Sequence, residues 1–140
     1  MYEIVIFTAS SKDYAEEIIK KLDPNNEYID FILSREDCMV TRNGFYLKDL
    51  RILKDRKLTD MIIVDNLAHS FGFQVDNGIP ILEWTGNQND QELLHLQELL
   101  AEANTHEDVR KYLKKRLGLR RLAAEDPQQL ISIIKDNDLL

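Results

Sequence analysis

The chain has 140 residues, 44% of them hydrophobic and 31% charged, and a formal net charge of -7. This length fits one domain, the apolar content is too high for a disordered chain, and no apolar run approaches the roughly 20 residues of a membrane span. The acidic balance argues against a protein that binds nucleic acid through a generally positive surface. With one cysteine (Cys38) and three histidines at no ligand-like spacing, the sequence predicts an intracellular protein without disulfide or zinc site.

The first third of the chain predicts a strand, a turn and a helix. Residues 2–7 (YEIVIF) are apolar on both alternating faces, which is typical of a strand buried on both sides in a parallel sheet. Residues 8–11 are small and mostly hydroxylic, as helix N-caps usually are, and residues 12–22 carry apolar side chains at helical spacing. Residues 28–33 resume an extended apolar pattern, so a second strand is predicted there.

The rest of the chain predicts a hairpin, two strands and several helices. Residues 38–47 alternate around Asn43-Gly44, a dipeptide that favours a hairpin turn because both positions tolerate positive φ. Residues 61–64 (MIIV) and 79–82 (IPIL) predict strands, and helical patterns follow at residues 93–103, at 109–117 and after Pro127. Residues 111–121 are rich in Lys and Arg, as a solvated helix face often is. The pattern predicts an α/β fold with a mainly parallel sheet and C-terminal helices.

Polar residues follow three of these predicted elements. Ligands of open parallel sheets bind where strands end, and Thr8 ends the first strand ahead of a helix N-terminus, where N–H groups favour an anion. Lys48 follows the hairpin and offers that anion a positive charge, while Asp65 follows MIIV and offers an oxygen ligand to Mg²⁺. Singly, the three also fit the roles of cap, solvated cation and turn former. Together they predict a site at one edge of the sheet.

Five phrases occur in order along the chain: YEIVIFTAS, REDC, YLKDL, VDN and VDNGIPI. They resemble the small phosphatases that act on the RNA polymerase II C-terminal domain, the Nuclear-LIM-interactor-interacting-factor-like family of the haloacid-dehalogenase superfamily. The resemblance implies a haloacid-dehalogenase-like, Rossmannoid parallel sheet with flanking helices and a small hairpin insertion at Gly44. It also implies a phosphatase-like domain over residues 1–117, incomplete at its N-terminus, and a helical extension over residues 118–140.

The same resemblance assigns the binding residues. Its Phe-Thr-Ala-Ser and Lys-Asp-Leu motifs hold phosphate, and its Asp-Asn motif helps to hold Mg²⁺. The corresponding residues are Thr8 and Lys48 for phosphate and Asp65 for Mg²⁺, with Ala9, Ser10 and Asn66 in supporting positions. The family usually continues with Ser-Pro after Asp-Asn, whereas this chain has Leu67-Ala68.

The superfamily's nucleophile motif is not found in these residues. That motif, Asp-x-Asp-x-Thr/Val, ends a strand; its first Asp forms an aspartyl-phosphate and its second acts as general acid and base. The motif would precede Met1, and the only Asp-x-Asp of the 140 residues is Asp136-Asn137-Asp138, interpreted as the end of the last helix. We therefore assign no catalytic residue and expect no turnover from this chain alone.

In the fold that the resemblance implies, the missing strand is central, between residues 4–7 and residues 62–64. Unpaired backbone groups on both sides of such a gap would cost roughly 1–3 kcal/mol each. We therefore expect a complementing strand, supplied by an upstream segment or by a separate chain, to insert there. The alternative is that the two strands pair directly, which would give a smaller sheet and a site too distorted for phosphate.

Three hypotheses for function follow. The first is a Mg²⁺-dependent phosphoserine or phosphothreonine phosphatase, in the nucleus or cytoplasm, that acts on a phosphoprotein or phosphopeptide. The second is a catalytically inactive phosphatase-like binding subunit of a larger assembly, for example in mitochondria, as the related import receptor is. In the third, the resemblance informs the fold alone. None involves nucleic acid or a transmembrane segment.

Overall fold

The computed structural model describes residues 2–121, which contain six short strands and three α-helices. The chain divides into two compact units between Lys48 and Asp49. The elements of the first unit are β1 (Val5–Phe7), α1 (Lys12–Leu22), β2 (Phe31–Leu33), β3 (Met39–Val40) and β4 (Tyr46–Leu47). Those of the second are β5 (Ile63–Asp65), β6 (Gly78–Pro80), α2 (Glu92–Ala103) and α3 (Val109–Leu117), with 3-10 turns between them.

In the first unit, α1 connects the parallel strands β1 and β2. The strands pair in register from Val5 with Phe31 to Phe7 with Leu33. α1 has the predicted bounds because its apolar residues form one stripe, of which Ala15 and Ile19 are buried. After α1, the buried carboxylate of Asp23 accepts hydrogen bonds from the three consecutive backbone N–H groups of residues 27–29 at 2.8–2.9 Å. This carboxylate fixes the path of the chain from α1 to β2.

The burial of β1 differs from the prediction. A strand that is apolar on both faces was expected to be covered on both, yet all three β1 residues are only half-buried, and Ile4 before them is 45% exposed. The reason lies in the pairing: among the described residues β1 belongs to a two-stranded sheet with β2 as its one neighbour. The faces of a parallel strand are covered by helices packed across the sheet and by side chains of the strands on both edges, and among the described residues β1 has such a strand on one edge.

The predicted hairpin is present as β3 and β4, which pair in antiparallel register, Met39 with Leu47 and Val40 with Tyr46. Its turn differs from the expected two-residue type. The Gly44 N–H donates to the Thr41 carbonyl at 3.0 Å, and Gly44 has φ +86° whereas Asn43 has no positive φ. Glycine is needed at this one position because it adopts positive φ without steric cost.

The second unit contains another parallel pair, β5 and β6, in which Ile63 pairs with Gly78 and Asp65 with Pro80. Two clusters of buried side chains form its core. One consists of Leu50, Met61, Ile63 and Phe71, and the other of Ile79, Ala103, Tyr112 and Leu113. Both predicted helices are present, and α3 ends at Gly118, whose left-handed φ of +60° suits a helix C-cap.

The mixed α/β class with parallel strands is confirmed, although the parallel pairing is found in two separate two-stranded sheets within residues 2–121. No helix in that part of the chain has the length and apolar character needed to cross a membrane. The helix predicted after Pro127 and the Asp136 to Asp138 motif lie outside the described residues. The division of the phosphatase-like domain from a C-terminal extension stays a prediction.

Candidate functional site

The turn after β1 places Thr8 directly ahead of α1. The Thr8 N–H donates to the Leu33 carbonyl at 2.9 Å and so extends the β1–β2 pairing by one residue. The Thr8 Oγ1 accepts from the Ser10 N–H at 3.1 Å, which closes a hydroxyl turn. Ser11 is the N-cap of α1, as the hydroxyl-rich sequence suggested, but its side chain makes no capping hydrogen bond. The first-turn N–H groups of α1 have no intrahelical acceptor, so this turn suits an anion.

Arg35 joins the same turn from β2, and reasoning from the sequence did not single it out. Its Nε donates to the Ala9 carbonyl at 2.7 Å, and its backbone N–H donates to the Ser10 carbonyl at 2.9 Å. The exposed guanidinium also lies 5.5 Å from the ring centroid of Tyr46 in the hairpin. The criterion that selected Thr8, a polar residue directly after a strand, would have selected Ser34 after β2, and Arg35 is the residue that follows it. A guanidinium carries five donors in a planar fork, a geometry that matches phosphate oxygens.

Lys48 lies at the end of the first unit, immediately after β4. Tyr46 and Lys48 are half-buried and Leu47 between them is buried, the alternation of an extended segment. Because residues two apart in such a segment share a face, Lys48 follows Tyr46 on the face that Arg35 contacts. Lys48 and Arg35 are therefore the two basic residues that the face of Tyr46 relates within this unit.

The segment after Lys48 is fixed within the second unit by a buried carboxylate. Asp49 accepts from Arg51 Nε at 2.9 Å and from Gln74 Nε2 at 2.9 Å, and Gln74 Oε1 accepts from the Leu50 N–H at 3.0 Å. The hydrogen bond from the Arg51 guanidinium is the main cause that lowers the pKa of Asp49 to about 2. These hydrogen bonds fix Asp49 and Leu50, the two residues that follow Lys48 in the chain.

Asp65 ends β5 in the second unit and is 7% exposed. Its Oδ1 accepts from the Leu67 N–H at 2.8 Å, and its carbonyl accepts from the Ile81 N–H at 3.2 Å. A carboxylate is the ligand type that Mg²⁺ prefers. However, residues 2–121 contain no cluster of three His, Cys, Asp or Glu side chains arranged for a metal ion. Among the described residues, Asp65 can therefore serve as one ligand of a Mg²⁺ site, and a complete site requires further ligands.

The structure brings some of the predicted site residues together within one unit. Thr8, Ala9 and Ser10 form one turn of the first unit, to which Arg35 is bound, and Lys48 ends the same unit. Asp65 and the exposed Asn66 belong to the second unit. The convergence of Thr8, Lys48 and Asp65 on one edge of a sheet stays a prediction.

Comparison with known proteins gives consistent matches. The model of the NLI interacting factor-like phosphatase family matches residues 1–110. The CTD small phosphatase-like protein 2 of Dictyostelium discoideum is 43% identical over 125 residues, which are 89% of this chain and 22% of that protein. The mitochondrial import inner membrane translocase subunit TIM50 of Candida glabrata is 38% identical over 131 residues, 92% of this chain and 26% of that protein.

A solved structure shares the fold. The structure of Fcp1, described as an essential RNA polymerase II CTD phosphatase, matches with a TM-score of 0.51 and 25% identity, over 72% of this chain and 28% of that one. This chain therefore spans between 22% and 28% of the length of these three proteins.

Proposed function

Because the chain belongs to the NLI interacting factor-like phosphatase family, we propose that it forms the phosphate-binding part of a Mg²⁺-dependent phosphoserine or phosphothreonine protein phosphatase. The observation that carries this proposal is the turn of Thr8 and Ser10 ahead of α1, to which Arg35 is hydrogen-bonded. A dianionic phosphate monoester needs converging donors, and this turn combines helix N–H groups with a guanidinium. The substrate is a phosphoprotein or phosphopeptide.

Each residue of the proposed site has a defined role. The Thr8 hydroxyl and the first N–H groups of α1 donate to the phosphate oxygens, and Arg35 and Lys48 neutralise its charge. The buried carboxylate of Asp65 supplies one oxygen to Mg²⁺, with Asn66 in the adjoining turn. When bound, Mg²⁺ supplies charge neutralisation at the phosphoryl group.

We assign the nucleophile to a complementing strand from outside residues 1–140. Backbone groups alternate sides along a strand, and both Ile4 and Thr8 make their backbone hydrogen bonds to the β2 segment. The N–H and C=O groups of Val5 and Phe7 therefore point to the other edge of β1. By the same alternation, the Asp65 carbonyl faces β6 and the backbone groups of Val64 face the other edge of β5.

The half-buried state of β1 supports this assignment, because a strand on its second edge would cover apolar side chains that are now accessible. Either an upstream segment or a separate chain meets the requirement. An Asp-x-Asp-x-Thr sequence on that strand would place a carboxylate nucleophile next to Thr8, at the same end of the sheet.

The second candidate function is a catalytically inactive binding subunit of an assembly. The observation that favours it is the 38% identity to a mitochondrial translocase subunit over 92% of this chain. This function places the protein in mitochondria, whereas the phosphatase function places it in the nucleus or cytoplasm.

Turnover of a phosphoserine peptide with Mg²⁺ separates these functions. We expect none from residues 1–140 alone, turnover after addition of a synthetic peptide with an Asp-x-Asp-x-Thr strand, and none when its first Asp is replaced by Asn. Hydrogen exchange should slow at the amides of Val5, Phe7 and Val64 when the peptide is added.

Two outcomes contradict parts of this proposal. Turnover by residues 1–140 that Asp136→Asn abolishes would contradict the complementing strand, because it would place the nucleophile at the C-terminus, while the phosphatase function would stand. Phosphopeptide binding without turnover, despite slowed exchange at Val5, would favour the inactive binding subunit.

A further inference from the structure

The outer face of α3 is a concentrated basic surface on an acidic protein. The helix Val109–Leu117 has five basic residues and no acidic one, although the whole chain has a formal net charge of -7. Val109, Tyr112 and Leu113 are buried, so the side of the helix opposite to them faces solvent. At 100° per residue, Lys111, Lys114 and Lys115 occupy that opposite side, and all three are exposed. We call these three lysines the α3 lysine face.

The charge pattern of α3 conflicts with helix stability. Lys111 and Lys115 are four residues apart and Lys111 and Lys114 three apart, so like charges are neighbours, an arrangement that destabilises isolated helices. Part of the pattern is explained by the helix dipole, since Lys114 and Lys115 lie in the last turn. Lys111 lies in the first turn, where that dipole disfavours a cation.

The charges of α1 are arranged differently. In α1, Lys12 lies 3.9 Å from Glu16 and Lys21 lies 4.0 Å from Glu17, so opposite charges are interleaved. Around α3, the ion pairs are made by arginines: Arg110 in the helix binds Asp108 at 2.9 Å, and Arg120 after the helix binds Asp76 at 2.9 Å. The charge of Lys111 also helps to lower the pKa of Asp108, although Arg110 is the residue that binds this carboxylate. A face of lysines alone, kept at a cost to the helix, indicates an anionic partner outside these residues.

We propose that the α3 lysine face, which shares no residue with the phosphate-binding turn, docks an acidic segment of the protein substrate. This inference rests on the proposed function, because it takes the docked segment to be part of the phosphoprotein. Membrane-surface helices present apolar residues beside the basic ones, whereas Val109 and Leu113 of α3 are inside the core. Single-stranded nucleic acid stacks on exposed aromatic rings. Tyr112 is instead buried, and its ring is stacked on that of His106 with 4.6 Å between the ring centroids. An acidic protein segment needs neither feature.

The test is a titration of the full chain with a fluorescein-labelled, glutamate-rich peptide without phosphate, followed by fluorescence anisotropy. The triple variant Lys111→Gln, Lys114→Gln, Lys115→Gln removes three exposed ion pairs with the peptide. Its affinity for the peptide should therefore fall by roughly 3- to 30-fold. A matched control, Lys20→Gln, Lys54→Gln, Lys57→Gln, removes the same charge from other exposed positions and should bind like the unsubstituted chain. Binding should also weaken as salt is raised from about 50 mM to about 300 mM.

Several results would overturn the proposal. The first is an equal loss of peptide affinity in the triple variant and in its control, and the second is that the peptide does not bind at all. The third is Lys111-dependent binding to a poly-uridine oligonucleotide, or to vesicles with phosphatidylserine, that is tighter than binding to the peptide. The proposed function fails separately: if Lys48→Ala leaves the affinity for a phosphoserine peptide without acidic residues unchanged, the phosphate site is wrong while the α3 lysine face stands.

Discussion

Arg35 donates from Nε to the Ala9 carbonyl at 2.7 Å, and this bond ties the segment after β2 to the turn after β1. The contact holds the guanidinium beside the proposed phosphate site. Arg35→Ala should therefore weaken binding of a phosphoserine peptide by about tenfold, as expected for the loss of a charge-assisted donor pair. Arg35→Lys should recover part of the affinity, because it restores the charge without the planar fork. Isothermal titration calorimetry measures both.

Arg42 is the matched control for Arg35, since it is an exposed arginine in the hairpin turn. Arg42→Ala should leave phosphopeptide affinity within about twofold of the unsubstituted chain, an effect of the size expected from screened surface charge. Equal losses in Arg35→Ala and Arg42→Ala would mean that general charge, and not the Arg35 contact, governs binding.

Thr8 is expected to contribute a hydroxyl donor to phosphate and an acceptor to the Ser10 N–H. Thr8→Ser keeps the hydroxyl and should retain most of the phosphopeptide affinity. Thr8→Val keeps the shape without the hydroxyl, and its phosphopeptide affinity should fall by about fivefold to tenfold, which corresponds to the free energy of one hydrogen bond. Binding by anisotropy, with thermal unfolding as a check of folding, separates these outcomes. A Thr8→Val variant that binds normally would limit Thr8 to a turn-forming role.

The stability contribution of Asp49 should depend on pH in a defined direction. Its pKa is lowered to about 2 in the folded chain, against about 3.9 in an unfolded chain. The ionised form is thus favoured by folding, so the stabilisation is present above about pH 4 and is lost as the pH falls through about 2. Because the Arg51 side chain is 62% exposed, solvent screens the pair, and its contribution to stability should be smaller than the full pKa shift implies.

Urea unfolding of Asp49→Asn at several pH values tests this contribution. The variant should be less stable than the unsubstituted chain at pH 7, and the difference should shrink as the pH falls from about 4 to about 2. Asp55→Asn, at an exposed position, is the control for charge removal. A difference that stays constant down to pH 2 would contradict the assigned role of Asp49.

Gly78 begins β6 where no Cβ atom fits. A Cβ added there would lie 2.2 Å from Cδ2 of Phe71, which is 1% exposed in the core. Gly78→Ala should therefore lower the free energy of unfolding by about 1–3 kcal/mol through overpacking. Gly72→Ala, where a Cβ meets no atom within 4 Å, is the matched control and should change stability by less than about 0.5 kcal/mol. Denaturant unfolding measures both, and equal effects would contradict the close packing of Phe71 on Gly78.

Local sequence patterns predicted the elements well where one face of an element is buried. The bounds of α1 and α3 agree with the apolar spacing, because a helix whose stripe packs on a core must keep that spacing throughout. The strands are shorter than predicted: residues 2–7 give Val5–Phe7, and residues 28–33 give Phe31–Leu33. Strand ends depend on the partner strand, which a local pattern does not specify.

Arg35 shows why part of the site was not predicted. Arg35 directly follows Ser34 and is the first residue of the REDC motif. Nothing in that local sequence connects it to Ala9, which is 26 residues earlier in the chain. The parallel register of β1 with β2 makes the connection, since it brings the carboxyl ends of both strands to one edge. Asp49 is similar, because its partner Gln74 is 25 residues away.

The sequence by itself determined the α/β class, the helices α1 to α3, the hairpin and the family, because these follow from periodicity and from collinear motifs carried by the chain in order. It also determined which residue types stand after each strand, Thr8 and Asp65 among them. Only the tertiary structure decided that Arg35 joins the Thr8 turn, that β1 has one strand neighbour among residues 2–121, and that α3 buries the side opposite to its three lysines. The physical reason is that pairing, burial and charge clustering are relations between distant segments, whose free energies arise only when the chain is folded.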